Sequence, residues 1–146
     1  MKGKFYICRM ASKKRRSDCP ISTALDIFGD KWTLLIVRDL MFKGKQSYGE
    51  FLNSEEKIAT NILADRLQLL EYAGIVTKNT DPANGVKFIY KLTPKGIDLL
   101  PILVETILWS ARHDAGTAAD PLFVEQALQN KTALIENISS GLHAKA

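Results

Sequence analysis

Thr60, Asn61, Arg66 and Gln68 fall within nine residues of one another, with Ala59, Ile62 and Asp65 among them. Amide and guanidinium groups are planar and offer paired hydrogen-bonding atoms. They suit the edges of nucleobases and, for arginine, the oxygens of a phosphate. A threonine hydroxyl can donate to either, and Ala59 and Ile62 can add apolar contact to a thymine methyl. These groups act together only if one helix face presents them. Leu63, Leu67 and Leu70, at i, i+4 and i+7, supply the opposite, inward face. A helix from about Ala59 to Tyr72 is predicted, stopped by Gly74. It turns Thr60, Asn61, Ala64 and Gln68 outward and keeps Asp65 and Arg66 on its flanks. The bland alternative is an ordinary surface helix with a polar face.

The neighbours of this helix favour the first alternative. Ser47 is placed to cap a short helix over Tyr48 to Asn53, and Ser54-Glu55-Glu56-Lys57 forms a turn, with the glutamates expected to be solvated. After Gly74, Ile75 to Asn79 and Val86 to Leu92 have strand character, and Asp-Pro-Ala-Asn-Gly between them supplies turn chemistry. The predicted order is helix, turn, helix, hairpin, helix. This is a helix-turn-helix with a β-hairpin wing behind it, and its second helix is sized for the major groove of DNA. Ser47, Tyr48, Lys78 and Lys87 are the candidates for phosphate contact. The wing lysines could equally be solvated residues that guard an edge strand.

The remaining segments frame this unit. Asp18-Cys19-Pro20 opens a helix, with Asp18 as its expected cap, that reaches about Phe28 and breaks at Gly29. Asp30 restarts a helix at Lys31-Trp32. Its run of Leu34, Leu35, Ile36, Val37, Leu40 and Met41 is too continuously apolar for a surface helix, so it is expected at the buried centre, ending at Gly44. Thr93 and Pro94 start a helix reaching about His113 and kinked at Pro101, and a last helix is expected from Pro121 to about Ser139.

The chain has 146 residues, 46% of them hydrophobic, which suits a single globular domain. No apolar run reaches the roughly 18 residues of a membrane span, and the start has no long apolar segment of a secretory signal. Two cysteines make no disulfide framework, so the cytoplasm is the expected compartment. The net charge is +4, but it is unevenly spread. Residues 1–20 hold seven basic and one acidic residue, residues 21–96 ten and nine, and residues 97–146 three and six. Basicity therefore sits mostly in a tail, and phosphate binding by the core would depend on local placement of Lys and Arg.

Several of these residues resemble the HxlR-type family of bacterial winged helix-turn-helix regulators, a MarR-like group. The resemblance runs from about Cys19 to Trp109. It rests on Cys19-Pro20, Ala24-Leu25, Gly29-Asp30-Lys31-Trp32-Thr33-Leu34-Leu35-Ile36 and Arg38-Asp39-Leu40. It continues through Phe51, Leu63, Arg66-Leu67, Leu70-Glu71, Gly74-Ile75-Val76, Tyr90, Leu92-Thr93, Gly96, Pro101 and Trp109. The turn Glu55-Glu56-Lys57 departs from the family pattern in lacking a small residue or Gly. The implied fold class is α+β, mainly α: a winged helix-turn-helix domain with N- and C-terminal dimerisation helices. The corresponding division is a basic, partly flexible arm (1–18), the winged domain (19–112) and a C-terminal dimerisation helix (113–146). The implied partners are double-stranded operator DNA and a second copy of the chain. Apolar residues after Thr93, among them Leu99, Ile102, Trp109, Leu122 and Leu128, fit a partner chain or an intramolecular helical pair.

The resemblance also places Cys19 where many family members carry a cysteine that senses oxidants or electrophiles. A thiol at a helix N-terminus feels the positive end of the dipole, and Arg15 and Arg16 add charge of the same sign. The alternatives are a sensor responding to an electrophile or small-molecule inducer, with Cys8 as a resolving thiol, and a small apolar residue with no sensing role. His113 and His143 lack spaced partners for a metal. No cofactor motif and no nucleophile elbow, P-loop or dinucleotide fingerprint is present. The chain is therefore expected to be a regulator and not an enzyme, a winged domain used only for protein contacts being the rival.

Overall fold

A computed structural model describes residues 15–146. The expected flexibility of the arm falls largely on residues 1–14, which lie outside the described residues, as does Cys8. Helix α1 spans Pro20–Phe28, α2 Thr33–Phe42, α3 Tyr48–Leu52 and α4 Thr60–Tyr72. Strands β1 (Val76–Asp81) and β2 (Asn84–Leu92) follow, then helices α5 (Pro94–Ile97), α6 (Leu100–His113) and α7 (Pro121–Lys145). No helix among the described residues is long and apolar enough to cross a membrane.

Helix α2 is the centre, as its apolar run implies. Ile36, Val37, Leu40 and Met41 are buried, and Leu63, Leu67 and Leu70 of α4 join them in one core with Phe51 of α3. Leu100, Leu103, Val104 and Leu108 of α6 close it from the other side. The ring of Phe51 meets that of Tyr90 edge-on at 6.2 Å. Each fully buried leucine of this kind contributes about 1.5–3 kcal/mol relative to exposure.

The helix boundaries follow from local chemistry. Asp30 ends the break after α1. Its carboxylate accepts from the backbone N–H of Trp32 and Thr33, at 2.8 and 3.0 Å, and from the Thr33 hydroxyl, so helix geometry starts at Thr33 and not at Lys31. Gly74 ends α4 with φ +70. Its N–H donates to Glu71 O, and that of Ile75 to Leu70 O, the paired bonds of a Schellman motif. Gly96 is required for another reason. A Cβ there would lie 2.2 Å from Ile75 O, where α5 closes on the end of β1.

Three expectations need correction. Asp18 does not cap α1: Cys19 holds the N-cap position, without a side-chain bond, and Asp18 instead pairs with Arg15. Pro101 does not kink a long helix. Asp98 and Leu99 separate α5 from α6, and Pro101 sits in the first turn of α6, where its missing N–H costs nothing. The last helix runs past Ser139 to Lys145, with a non-helical residue at Asn130. The Asn130 side chain accepts from Ala133 N at 3.0 Å and restarts the helix as an internal cap.

The hairpin is longer than the strand signals suggested. Pairing extends to Asp81 opposite Asn84, with a register shift after Thr80, so only Pro82 and Ala83 lie between the strands. Helix α7 packs on the same core as the winged unit. Ala127 is buried, and Phe123 meets Phe42 edge-on at 6.2 Å.

Candidate nucleic-acid interface

Helices α3 and α4 are the two arms of the helix-turn-helix. Glu50 fixes the first of them. Its carboxylate accepts from the N–H groups of Gln46 and Ser47, each at 2.8 Å, and from the Ser47 hydroxyl. The Gln46 N–H, followed by the two Ser47 bonds, holds Glu50 below the usual carboxylate range. The same segment is joined to the wing: Ser47 bridges Ile89, and Tyr90 N donates to Gln46 O at 2.8 Å. The hairpin and the helix pair thus share one frame.

Helix α4 buries Leu63, Leu67, Leu69 and Leu70 and exposes Thr60, Asn61 and Ala64, with Gln68 half-buried beside them. Ala59 is the N-cap and brings no side-chain acceptor, which leaves the first N–H groups of α4 without a side-chain partner from it. A groove of about 850 Å³ runs between this helix and the wing. Ala64 and Gln68 line one wall, and Lys78, Lys87 and Phe88 the other. Lys78 Nζ stands 4.2 Å over the Phe88 ring, a cation–π contact that holds its charge at the groove. Val86, at 90% exposure, marks the outermost edge of the wing.

The structure separates the sequence-derived candidates into two groups. Thr60, Asn61, Lys78 and Lys87 are exposed on the α4 and wing surface, with Ala59 at its margin. Ser47, Tyr48, Ile62, Asp65 and Arg66 are engaged within the chain. Ser47 is 4% exposed and donates to Glu50. The Tyr48 hydroxyl donates to Thr60 O at 2.8 Å. Ile62 packs against the core. Arg66 is held between Asp30 and Asp65, with Nε buried and unpaired. Arg66 was expected on a flank of the helix, within reach of a guanine edge or a phosphate. The wheel does not show that an aspartate from the α1–α2 corner lies beside it.

Cys19 is exposed at the start of α1. The two arginines expected to act on it pair elsewhere, Arg15 with Asp18 and Arg16 with Asp26.

One group was missed. The turn between α3 and α4 is not simply solvated: Glu56 takes both of its carboxylate oxygens to Arg38. The available signal was the Arg-Asp pair inside the apolar run of α2, since charge at a buried helix centre needs partners.

A family model described as HxlR-like helix-turn-helix matches residues 27–116. The uncharacterized HTH-type transcriptional regulator YvaP of Bacillus subtilis is 33% identical over 108 residues, 73% of this chain and 94% of that one. A second uncharacterized HTH-type transcriptional regulator, sll1512 of Synechocystis, is 34% identical over 86 residues, 59% of this chain and 63% of that one. The reduced form of the transcriptional regulator YodB from B. subtilis superposes with a TM-score of 0.56 at 29% identity, covering 69% of this chain and 100% of that chain. The reduced form of the redox regulator HypR gives 0.57 at 30%, covering 66% and 95%. The mainly helical fold with its two-stranded antiparallel sheet matches YodB and HypR, and all four relatives are named as regulators, not enzymes. The chain belongs to the HxlR-like helix-turn-helix family of transcriptional regulators.

Proposed function

We propose that the chain binds operator DNA as a homodimer, with α4 in the major groove and the hairpin on the adjoining backbone or minor groove. The observation that carries this reading is the single surface shared by the exposed face of α4 and the wing. Thr60, Asn61 and Gln68 supply the hydrogen-bonding groups for base edges, and Ala59 and Ala64 allow close approach. Lys78 and Lys87 supply phosphate contacts. Ser47 and Tyr48 frame the site from within, and Arg66 with Asp65 steadies α4. The α1 helix supports the second copy: it has no buried residue, and Ile21 and Leu25 are 70% and 48% exposed.

The test is selection of bound fragments from the host genome with the full chain, followed by salt titration. Binding should fall with a slope of about −0.9 per phosphate neutralised, and Lys78→Ala and Lys87→Ala, each present twice in the dimer, should each lower that slope by about two. No enriched fragment and no salt dependence would favour the rival, a winged domain used for protein contacts alone.

A second reading is favoured by the exposure of Cys19 at the N-terminus of an unburied helix. Here the regulator releases DNA when that thiol is oxidised or alkylated, as the name of the redox regulator HypR suggests for that protein. Diamide or a quinone should then release DNA from the native chain and not from Cys19→Ser. Release from both rejects the thiol reading and leaves DNA binding untouched.

A further inference from the structure

We infer that Arg38 and Asp39 are positioning residues for DNA recognition, fastening the first and third residues of the α3–α4 turn to α2 and so setting the angle at which α4 is presented. This inference rests on the DNA-binding reading above.

The geometry is a relay of two forks. Arg38 Nη1 and Nη2 donate to the two carboxylate oxygens of Glu56, and Nε and Nη2 donate to Asp39 Oδ1 at 2.9 and 2.7 Å. The other Asp39 oxygen accepts from the Ser54 hydroxyl and lies 3.4 Å from Lys45 Nζ. Lys45 Nζ also donates to Ser54 Oγ at 2.7 Å, and the Lys45 backbone N–H donates to Asp39 O at 3.1 Å. One aspartate, 2% exposed, therefore gathers the loop after α2 and the first residue of the turn, while the adjacent arginine holds the turn's third.

The turn needs such anchorage. Its only apolar anchor at the α4 end is Ile58, and Lys57 adopts φ +52, in the left-handed region that disfavours a side chain. Within the turn, Lys57 N donates to Ser54 O. A turn this short leaves the direction of α4 sensitive to where Ser54 and Glu56 are held. Charge-assisted, forked bonds to a buried helix give that direction more precision than apolar contact alone. None of these groups lines the groove between α4 and the wing, so their effect on DNA is exerted through α4.

The experiment uses the full chain and two variants, Arg38→Gln and Glu56→Gln. The second alters only the more exposed end of the relay, so it folds even if the first does not. Two measurements are made. In the free protein, amide exchange at Ser54 to Lys57 should quicken about tenfold while Val37 stays protected. On DNA, the preference for operator over random duplex should fall about tenfold, the scale of one lost base contact, with random-duplex affinity and salt slope unchanged. Unchanged exchange in the turn overturns the relay. Faster exchange with unchanged preference makes it merely structural and overturns the positioning role. A parallel loss on both duplexes, with the slope reduced by about one per subunit bound, makes Arg38 a phosphate contact instead. If the native chain selects no fragment, the DNA-binding reading fails, and the exchange result alone still decides whether the relay holds the turn.

Discussion

Arg66 Nη1 lies 3.2 Å from Asp30 Oδ2, which ties the middle of α4 to the corner between α1 and α2. Asp30 already accepts from the N–H groups of Trp32 and Thr33 at the start of α2, so one carboxylate orients two helices. Burial works against its ionised form, but bonds from the Thr33 side chain, the Trp32 and Thr33 N–H groups and the Arg66 charge more than offset this and lower its pKa. Arg66→Gln should therefore lower the free energy of unfolding by about 1–3 kcal/mol, because Asp65 and Asp30 keep their half-buried charge without the guanidinium that offsets it. Arg66→Lys should restore only part, since an ammonium lacks the planar, preset fork of donors that the guanidinium holds between the two carboxylates. Urea denaturation measures both. A variant of native stability whose DNA salt slope drops by about one per subunit would return Arg66 to the phosphate-contacting role its guanidinium suggested.

Acid should weaken the tie between the turn and α2. The Arg38 guanidinium holds Glu56 down from 4.5 to about 2. A depressed carboxylate contributes stability that is present above its unfolded value and is lost as pH falls through its folded one. The native chain should lose stability between about pH 5 and about pH 2, and Glu56→Gln should show a shallower decline over that window. Glu50 and Asp30, also lowered, contribute to the slope that remains. Identical pH profiles for the native chain and Glu56→Gln would show that the Arg38 pair is not coupled to folding.

What the sequence revealed, and what it did not, divides by range. Leu63, Leu67 and Leu70 mark the inner face of α4 because helical periodicity is local, and all three are buried. Gly74 and Thr93 mark their element ends because caps are local too: the Thr93 hydroxyl accepts from Gly96 N at 3.1 Å. The turn at Pro82-Ala83 was placed correctly, but the strands run further because a register shift absorbs residues that look like loop. The ion pairs of Arg66 and Glu56 were not legible, for one reason. Their partners, Asp30 and Arg38, are 36 and 18 residues away, and no periodic pattern carries that information. Among the candidate DNA contacts, exposure was legible at Thr60 and Asn61. Ser47 was legible as the cap of α3, where it stands. The bond from the Tyr48 hydroxyl to Thr60 O was not, because no local pattern marks a partner twelve residues away.

Lys57 offers a test of backbone strain. A left-handed conformation costs a side-chain-bearing residue about 1–2 kcal/mol, and glycine avoids that cost while adding about 0.5–1 kcal/mol of unfolded-chain freedom. Lys57→Gly should be neutral or stabilising by up to about 1 kcal/mol. Lys57→Val should destabilise by more than about 1 kcal/mol, since branching at Cβ tightens the clash. Thermal melts of the two variants decide this. A stability loss for glycine as large as that for valine would mean that the lysine side chain itself anchors the turn.

The exposed face of α1 argues for a second copy of the chain. The helix has nine residues, no side-chain bond at its N-cap and no buried residue. Helices shorter than about 12–15 residues are marginal in water unless packing supports them. Only Ile27 and Phe28 of its large apolar residues pack against the core, while Ile21 and Leu25 face outward. Trp109 on α6 is also 64% exposed, with Ile102 beside it at the same open groove. A two-fold contact that covers these residues would supply the missing support and bring two copies of α4 to one duplex. Ile21→Glu and Trp109→Glu should each shift the sedimenting species from dimer toward monomer. Each should also weaken binding to a two-half-site operator far more than to a single half-site. The core residues of α2 and α6 should keep their protection in the variants, since neither substitution touches them. Dimers that persist in both variants would move the contact to another surface, with the outer residues of α7, Leu122 and Leu128, next to be substituted.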